Sequence, residues 1–363
     1  MSNRREFLVQ SAAIAAFSTL SFPTFGMLRP KKKLGVALVG LGYYSRDLLA
    51  PALQKTLHCE LKGIVTGSPE KIPVWQEKYG ITDGNVYNYE NMHTIADNDE
   101  IDVVYVVLPN SLHMKYAIMA AEAGKHVWCE KPMAINAEEC RKIIDACNRN
   151  KVKLSIGYRM QHEPNTKLIM KWSETKPYGS ITALDAVAGF RYGGGYSDYW
   201  RLQKDMGGGA LYDMGVYCIN AIRYTTGLEP VAVSAAHETT RPDVFRNVDE
   251  ITTFKLRFKN GLIATGKTSF AENINKLDVT CESGNFFLAP MQSYTGVQGE
   301  TSDGKELHAW PGNQQAQQMD DDAMAIMNNS TVMVSGEEGM RDIVVVNAIF
   351  DSADNGGEWM DIV

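Results

Sequence analysis

The stretch LGVALVGLGYYSRDLLAPAL, residues 34–53, decides the fold. Leu34 to Val39 is a short apolar run bounded by glycine, which predicts a buried strand. Gly40 to Ser45 follow with the spacing G-x-G-x-x-S, a serine standing where a third glycine is usual. A helix is predicted from about Arg46 to Thr56. Strand, tight glycine turn and helix together form the context in which such a turn cradles the pyrophosphate of a dinucleotide. Gly40 permits the turn, and Gly42 lets the backbone approach a phosphate at the helix N-terminus. Gly40, Gly42, Tyr43, Tyr44 and Ser45 are therefore candidate cofactor-binding residues. A plain strand–helix turn uses the same glycines.

Strand and helix go on alternating downstream. Apolar runs at Leu61–Thr66, Ile101–Leu108, His126–Cys129 and Lys153–Ile156 predict further strands, with helices from near His113 and over Glu138–Asn150. This rhythm predicts a parallel, doubly wound α/β sheet, whose ligands gather at the strand C-termini. The groups at those tips are Leu108, Pro109 and Asn110, then Glu130 and Lys131, then Arg159. The second strand ends in Thr66, Gly67, Ser68 and Lys71 without a carboxylate at its tip. NAD-preferring proteins place an acid there for the ribose hydroxyls. Hydroxyls and a cation suit a 2′-phosphate instead, so NADP is expected over NAD.

After Arg159 the rhythm changes. GGGALYDMGVY from Gly207 predicts a glycine-rich turn entering a helix, with Asp213 and Tyr217 four residues apart on one face. Strand-like segments follow near 182–191, 231–237, 251–258, 262–270, 276–281 and 285–288, with Asn260-Gly261 as a hairpin turn. They predict an α+β second domain with a mostly antiparallel sheet, closed by helices near Ala316–Met327 and Gly339–Ala353. The expected divisions are 1–30, a signal and linker; 31–157, nucleotide binding; and 158–363, substrate binding and oligomerisation.

Hydride transfer at an alcohol carbon needs a held nicotinamide, a base for the hydroxyl proton and a donor that orients the oxygen. Lys131, Tyr217 and Asp213 can fill these roles if the fold brings them together. Singly, each has a blander reading: a surface lysine, a packing tyrosine, a solvated aspartate. Neither a Ser–His–Asp order nor H-E-x-x-H appears, so hydrolase and zinc readings have little support. Six scattered cysteines make no C-x-x-C pair, which argues against zinc or redox dithiol chemistry.

The 363 residues carry a formal net charge of −7, which argues against nucleic-acid partners. The basic cluster Lys31 to Lys33 reads as a solvated junction. Arg4-Arg5 precede Phe7-Leu8 and an apolar run that ends at Pro23. Charged start, apolar middle and break give the layout of a twin-arginine signal. The twin-arginine machinery and a periplasmic location are therefore expected.

GLGYYS, the EKP of Glu130 to Pro132 and GGGALYDMGVY together resemble the Gfo/Idh/MocA oxidoreductases. VYVVLPNSLH, GKHVWCEKPMA, GYR, YWRL and GEEGMRD resemble that family's glucose-fructose oxidoreductase branch. The resemblance spans about Leu34 to Ala353. It implies a Rossmann domain and a second domain with a large open sheet that forms homodimers or homotetramers. It implies that Lys131 contacts substrate and nicotinamide beside a cis Pro132, and that Tyr217 is the acid/base. Asn110, His113, Glu130, Arg159, Trp200 and Arg201 would line cofactor or sugar. It further implies retained NADP, with one sugar oxidised to a lactone and a second reduced in ping-pong fashion. Two departures stand out: a short Met27–Lys33 segment, and Tyr43 where that branch carries lysine. They leave the sugar pair open, an aldose or fructose being reduced. An ordinary NAD(P) sugar dehydrogenase, a NAD-dependent glycosidase and a non-catalytic sugar or dinucleotide sensor are the alternatives.

Overall fold

The computed structural model describes residues 33–193 and 199–363. The expected signal peptide, including Arg4-Arg5, and most of the basic junction lie outside the described residues. The first sheet is β1 (Leu34–Val39), β2 (Cys59–Val65), β3 (Val86–Tyr87), β4 (Val103–Val106), β5 (His126–Cys129) and β6 (Leu154–Ile156), in the order β3-β2-β1-β4-β5-β6. Every pairing is parallel. β1 and β4 are buried along their whole length, as continuous apolar runs covered on both faces should be. The strand order reverses between β1 and β4, where doubly wound sheets open a ligand crevice.

The first predicted helix starts earlier than expected and in a wider form. Tyr44–Leu49 is a π-helical turn that passes into α1 (Ala50–Leu53). The other helices of this half are α2 (Ile72–Tyr79), α3 (His113–Glu122) and α4 (Ala137–Arg149). α5 (Pro164–Thr175) was not anticipated. Pro164 occupies the first helical turn, and the Glu163 carboxylate caps it by accepting from Thr166 N at 2.8 Å.

The second sheet has nine strands in the order β14-β13-β12-β11-β7-β10-β9-β8-β15. These are β7 (Ile181–Gly189), β8 (Pro230–Glu238), β9 (Ile251–Phe258), β10 (Ile263–Ser269), β11 (Ile274–Cys281), β12 (Gly284–Leu288), β13 (Gly299–Thr301), β14 (Glu306–Leu307) and β15 (Met360–Asp361). β7 and β10 pair in parallel and the other pairings are antiparallel. β9 alternates buried and exposed residues along most of its length, the mark of a sheet with one covered face. That face lies under α6 (Val216–Thr226) and α8 (Gly336–Asp354). The three short strands β13 to β15 were not expected.

A boundary at 157 separates the sheets but not the packing. α7 (Gln314–Met327) returns to the first sheet, where Ala316, Met319 and Ala323 share a core with Leu38, Leu53, Tyr105 and Trp128. All six cysteines are buried and free. Among the described residues no helix is long and apolar enough to cross a membrane.

Candidate active site

The glycine turn is as tight as its spacing implies. Gly40 has φ of 91°, and a Cβ there would sit 2.4 Å from Val107 O and 2.7 Å from the Leu108 side chain. Gly42 faces open space, so this side of the turn can approach a ligand. It also lies at a helix start, whose first N–H groups lack intrahelical partners. These features fit a dinucleotide pyrophosphate. Tyr43 is 60% exposed beside the turn. Ser45 faces inward and donates to Gly40 O at 2.5 Å, so it braces the turn. At the β2 tip, Thr66 Oγ1 accepts from Ser68 N at 3.1 Å, and a Cβ on Gly67 would press on the Tyr89 ring. Lys71 turns back to the same loop, its Nζ 3.4 Å from Leu41 O.

Lys131, Asp213 and Tyr217 come together from opposite sheets. Lys131 Nζ donates to the Asp213 carbonyl at 2.8 Å and lies 3.7 Å from Asp213 Oδ1. It also stands 4.5 Å from the centre of the Tyr217 ring. Arg201 Nε donates to Asp213 Oδ2 at 2.9 Å, and its guanidinium stacks 4.4 Å over Trp200. Burial pushes the Asp213 carboxyl up, but Arg201 and Lys131 outweigh it and hold the group below its ordinary value. Asp213 thus holds Lys131 on one side and Arg201 on the other. Lys131-Pro132 is cis, as the resemblance implies.

A second cation sits behind Tyr217. Arg159 is only 2% exposed and lies 5.5 Å from the Tyr217 ring and 4.7 Å from the Tyr294 ring. Its guanidinium donates to Gln314 Oε1 at 2.5 Å, Ser293 O at 2.9 Å and Gln292 Oε1 at 3.3 Å. Burial works against this charge, but the phenols of Tyr217, Tyr44 and Tyr294 outweigh it and hold the guanidinium ionised. Tyr44 meets Tyr294 at 6.0 Å, so the segment between β12 and β13 reaches the nucleotide turn.

Of the expected crevice residues, His113 lies behind the wall. His113 is 0% exposed, with Nδ1 2.9 Å from Pro132 O and Nε2 2.8 Å from Leu108 O. It ties the Lys131–Pro132 turn to the β4 exit and is not free to touch sugar. Leu108 and Pro109 form that exit, directly before a 3₁₀ turn at Asn110–Leu112. Asn110 is buried and donates to Gly207 O at 2.7 Å, joining the two halves. Glu130 accepts from Tyr105 OH at 2.6 Å. Burial raises its pKa, with Tyr105 and Lys131 opposing.

Asp249 was missed. Its Oδ2 accepts from Leu211 N at 2.7 Å and from Thr252 Oγ1 at 2.9 Å, so it anchors the start of the π-helical turn Leu211–Gly215 that carries Asp213. Tyr294, Gln292, Gln314 and Asp249 follow no motif, and no sequence signal marks them. Both segments that enter the crevice, Tyr44–Leu49 and Leu211–Gly215, open in π-helical form, which recurs at functional sites. Among the described residues no cluster could hold a metal ion.

Comparison with known proteins identifies the family and the fold. Residues 34–158 match the oxidoreductase family with an NAD-binding Rossmann fold, and residues 168–287 match the GFO/IDH/MocA C-terminal domain. The chain belongs to the Gfo/Idh/MocA oxidoreductases. It superposes with a TM-score of 0.86 on an aldose-aldose oxidoreductase from Caulobacter crescentus complexed with glycerol, at 36% identity over 91% of this chain and 99% of that one. A D-xylose 1-dehydrogenase [NADP(+)] of Haloarcula marismortui is 25% identical, covering 88% of this chain and 90% of its own. A levoglucosan dehydrogenase bound to NADH and levoglucosan shares the fold, with a TM-score of 0.79 at 23% identity over 91% of this chain and 99% of that one.

Proposed function

We propose that this chain is an exported, NADP-dependent sugar oxidoreductase that oxidises an aldose to a lactone and reduces a second sugar with the same bound cofactor. The observation that carries the reading is the meeting of Lys131, Asp213 and Tyr217 at the tip of β5, beside a turn that fits a dinucleotide. The likeness to an aldose-aldose oxidoreductase supports paired sugar chemistry. The carboxylate-free β2 tip and Lys71 support NADP. Arg4-Arg5 support twin-arginine export, a route that carries folded protein and lets the cofactor travel inside it. The open face of the second sheet suits a homodimer or homotetramer.

The nicotinamide, when bound, supplies and accepts the hydride. The protein's own residues manage the proton and the oxygen. The Tyr217 phenol oxygen is the group that takes the hydroxyl proton during oxidation and returns it during reduction. The Lys131 ammonium stabilises negative charge on the substrate oxygen, a contribution that grows when water is excluded. Asp213 holds the ammonium in place, and Arg201 holds Asp213. Mass spectrometry of the nucleotide released on denaturing the purified protein tests the proposal. About one NADP(H) per chain, with turnover of a sugar pair in the absence of added cofactor, is expected. Protein that arrives empty and needs fresh nucleotide for each turnover overturns cofactor retention and leaves an ordinary dehydrogenase.

A further inference from the structure

The segment between β12 and β13, residues 289–298, is pinned at both feet. Ala289 N bonds to Gln298 O at 2.8 Å and closes its base. On one side the Asn275 side chain of β11 donates to Gln292 O, and accepts from Met291 N at 2.9 Å and Gln292 N at 3.0 Å. On the other, Asn165 Nδ2 of α5 donates to Val297 O at 3.0 Å. Met291 and Val297 are buried. A loop whose backbone groups are paired in this way keeps one shape without belonging to a strand.

Its tip is carried from the second sheet to the nucleotide turn. Ser293 O and Gln292 Oε1 accept from the Arg159 guanidinium. The Tyr294 ring lies 4.7 Å from the same guanidinium. Tyr44, two residues after Gly42, meets that ring at 6.0 Å. Arg159 and Lys131 both contact the Tyr217 ring, at 5.5 Å and 4.5 Å. Lys131, Tyr217, Arg159, Tyr294 and Tyr44 therefore make an unbroken run of contacts from the catalytic ammonium to the glycine turn. A dinucleotide seated on that turn has to follow the same course for its nicotinamide to reach Lys131. Tyr294 is 40% exposed, so part of its ring is free for a further contact. Burial holds its phenol above the ordinary value, with Tyr217, Tyr43 and Asp213 adding and Arg159 opposing. Tyr43 stands on the nucleotide turn and Asp213 on the facing wall, so the phenol reaches towards both.

We propose that Tyr294 is a cofactor-retaining residue, whose ring covers the bound dinucleotide between the glycine turn and Lys131 and slows its release. The cover comes from the second sheet and closes on a turn of the first, so it holds only while the feet of its segment are pinned. The inference rests on the nucleotide reading of the glycine turn and not on which sugar reacts.

Full-length protein loaded with NADPH is mixed with a large excess of NADP, and the loss of energy transfer from tryptophan to the bound nicotinamide times the release. Tyr294→Ala is expected to release NADPH about tenfold faster than wild type, the worth of one aromatic contact. Tyr294→Phe keeps the ring and holds release within about twofold of wild type. Asn275→Ala frees one foot of the segment, and quickens release in the same assay if Tyr294→Ala does not fold. A merely structural role lowers the denaturant midpoint of Tyr294→Ala and leaves its release rate where it was. Unchanged release in Tyr294→Ala, or release from Tyr294→Phe as fast as from Tyr294→Ala, overturns the inference. Unchanged release with a raised KM for sugar also overturns it and gives the ring to the substrate. Wild-type protein that exchanges its nucleotide within each turnover refutes retention in the proposed function, and a tenfold ratio between it and Tyr294→Ala still upholds the cover.

Discussion

The two walls of the catalytic crevice are built by opposite means. Lys131 stands at the tip of a parallel strand, where Glu130 N bonds to Val106 O at 3.0 Å and Gly157 N to Cys129 O at 2.8 Å. Its position follows from the sheet. Asp213 and Tyr217 stand on a helix that no strand leads into. Their entry turn, Gly207–Gly209, is held by side chains from afar: Asn110 on Gly207 O, and Asp249 on Leu211 N. The first wall is positioned by the backbone bonding of a parallel sheet, and the second by a backbone turn, with Gly208 N on Gln203 O and Gly209 N on Arg201 O, that two distant side chains pin in place. The chemistry is assembled only where they meet, so the second wall is the more fragile.

The sharpest break removes the phenol. Tyr217→Phe keeps the ring beneath Lys131 and Arg159 and deletes the proton carrier. Turnover is expected to fall about 10²-fold or more, with cofactor still bound. Near-wild-type rates in single-turnover kinetics would move the proton to Lys131 alone.

A subtler break leaves every reacting group in place. Gly209 has φ of 105°, and a Cβ there would lie 2.0 Å from Asp249 Oδ1. Gly209→Ala must strain the backbone or displace the carboxylate. About 2 kcal/mol of stability is expected to be lost in denaturant unfolding, and turnover should fall because Asp213 and Tyr217 shift together. Unchanged stability and rate would show that Asp249 does not set this wall.

The sequence shows the two walls unequally, for the same reason that they differ in build. Lys131, Asn110 and the glycine turn were legible because strand tips and tight turns are local in sequence. Asp213 and Tyr217 were legible as a helix face, but their meeting with Lys131 rested on resemblance, since spacing says nothing about contacts between sheets. His113 was placed at the crevice, yet both its ring nitrogens are held by backbone carbonyls, because a strand-tip position does not reveal which way a side chain turns. Tyr294 and Gln314, which complete the surroundings of Arg159, sit in a loop and a returning helix whose partners are more than a hundred residues away.

The seam where α7 meets the first sheet offers a pH test of the first wall. Asp322 on α7 is fully buried. Burial pushes its carboxyl up to about 6, with His162 and the Ser155 hydroxyl opposing and Asp321 adding to the rise. The folded state therefore holds a proton that the unfolded chain, with an ordinary value of about 3.9, has lost. Stability from this group falls as pH rises from about 4 to 6 and is flat above. Asp322→Asn is expected to be more stable than wild type by about 1–2 kcal/mol at pH 8, with the gap closing towards pH 4 in denaturant titrations. A gap independent of pH would mean that Asp322 is ionised and paired through water. Because α7 also carries Gln314 and Gln318, which hold Arg159 and Tyr105, a tighter seam should leave turnover intact.

The smallest expected effect separates the two roles that Lys71 can play in the first wall. Its ammonium lies 3.4 Å from Leu41 O, a long contact with the glycine turn itself. If that contact is its purpose, Lys71→Ala loosens the turn and weakens any dinucleotide alike. If the ammonium is there for a 2′-phosphate, the loss falls on NADP, whose extra charge-assisted hydrogen bond NAD cannot make. Titration of protein freed of its nucleotide is expected to show NADP weakened about fivefold to tenfold and NAD less than twofold. Thr66 and Ser68 sharpen the distinction: they hydrogen-bond each other through Ser68 N and Thr66 Oγ1 at 3.1 Å, so the tip keeps its shape when the lysine is gone. Equal weakening of both nucleotides would assign Lys71 to the turn and return the choice of cofactor to groups elsewhere on the β2 tip.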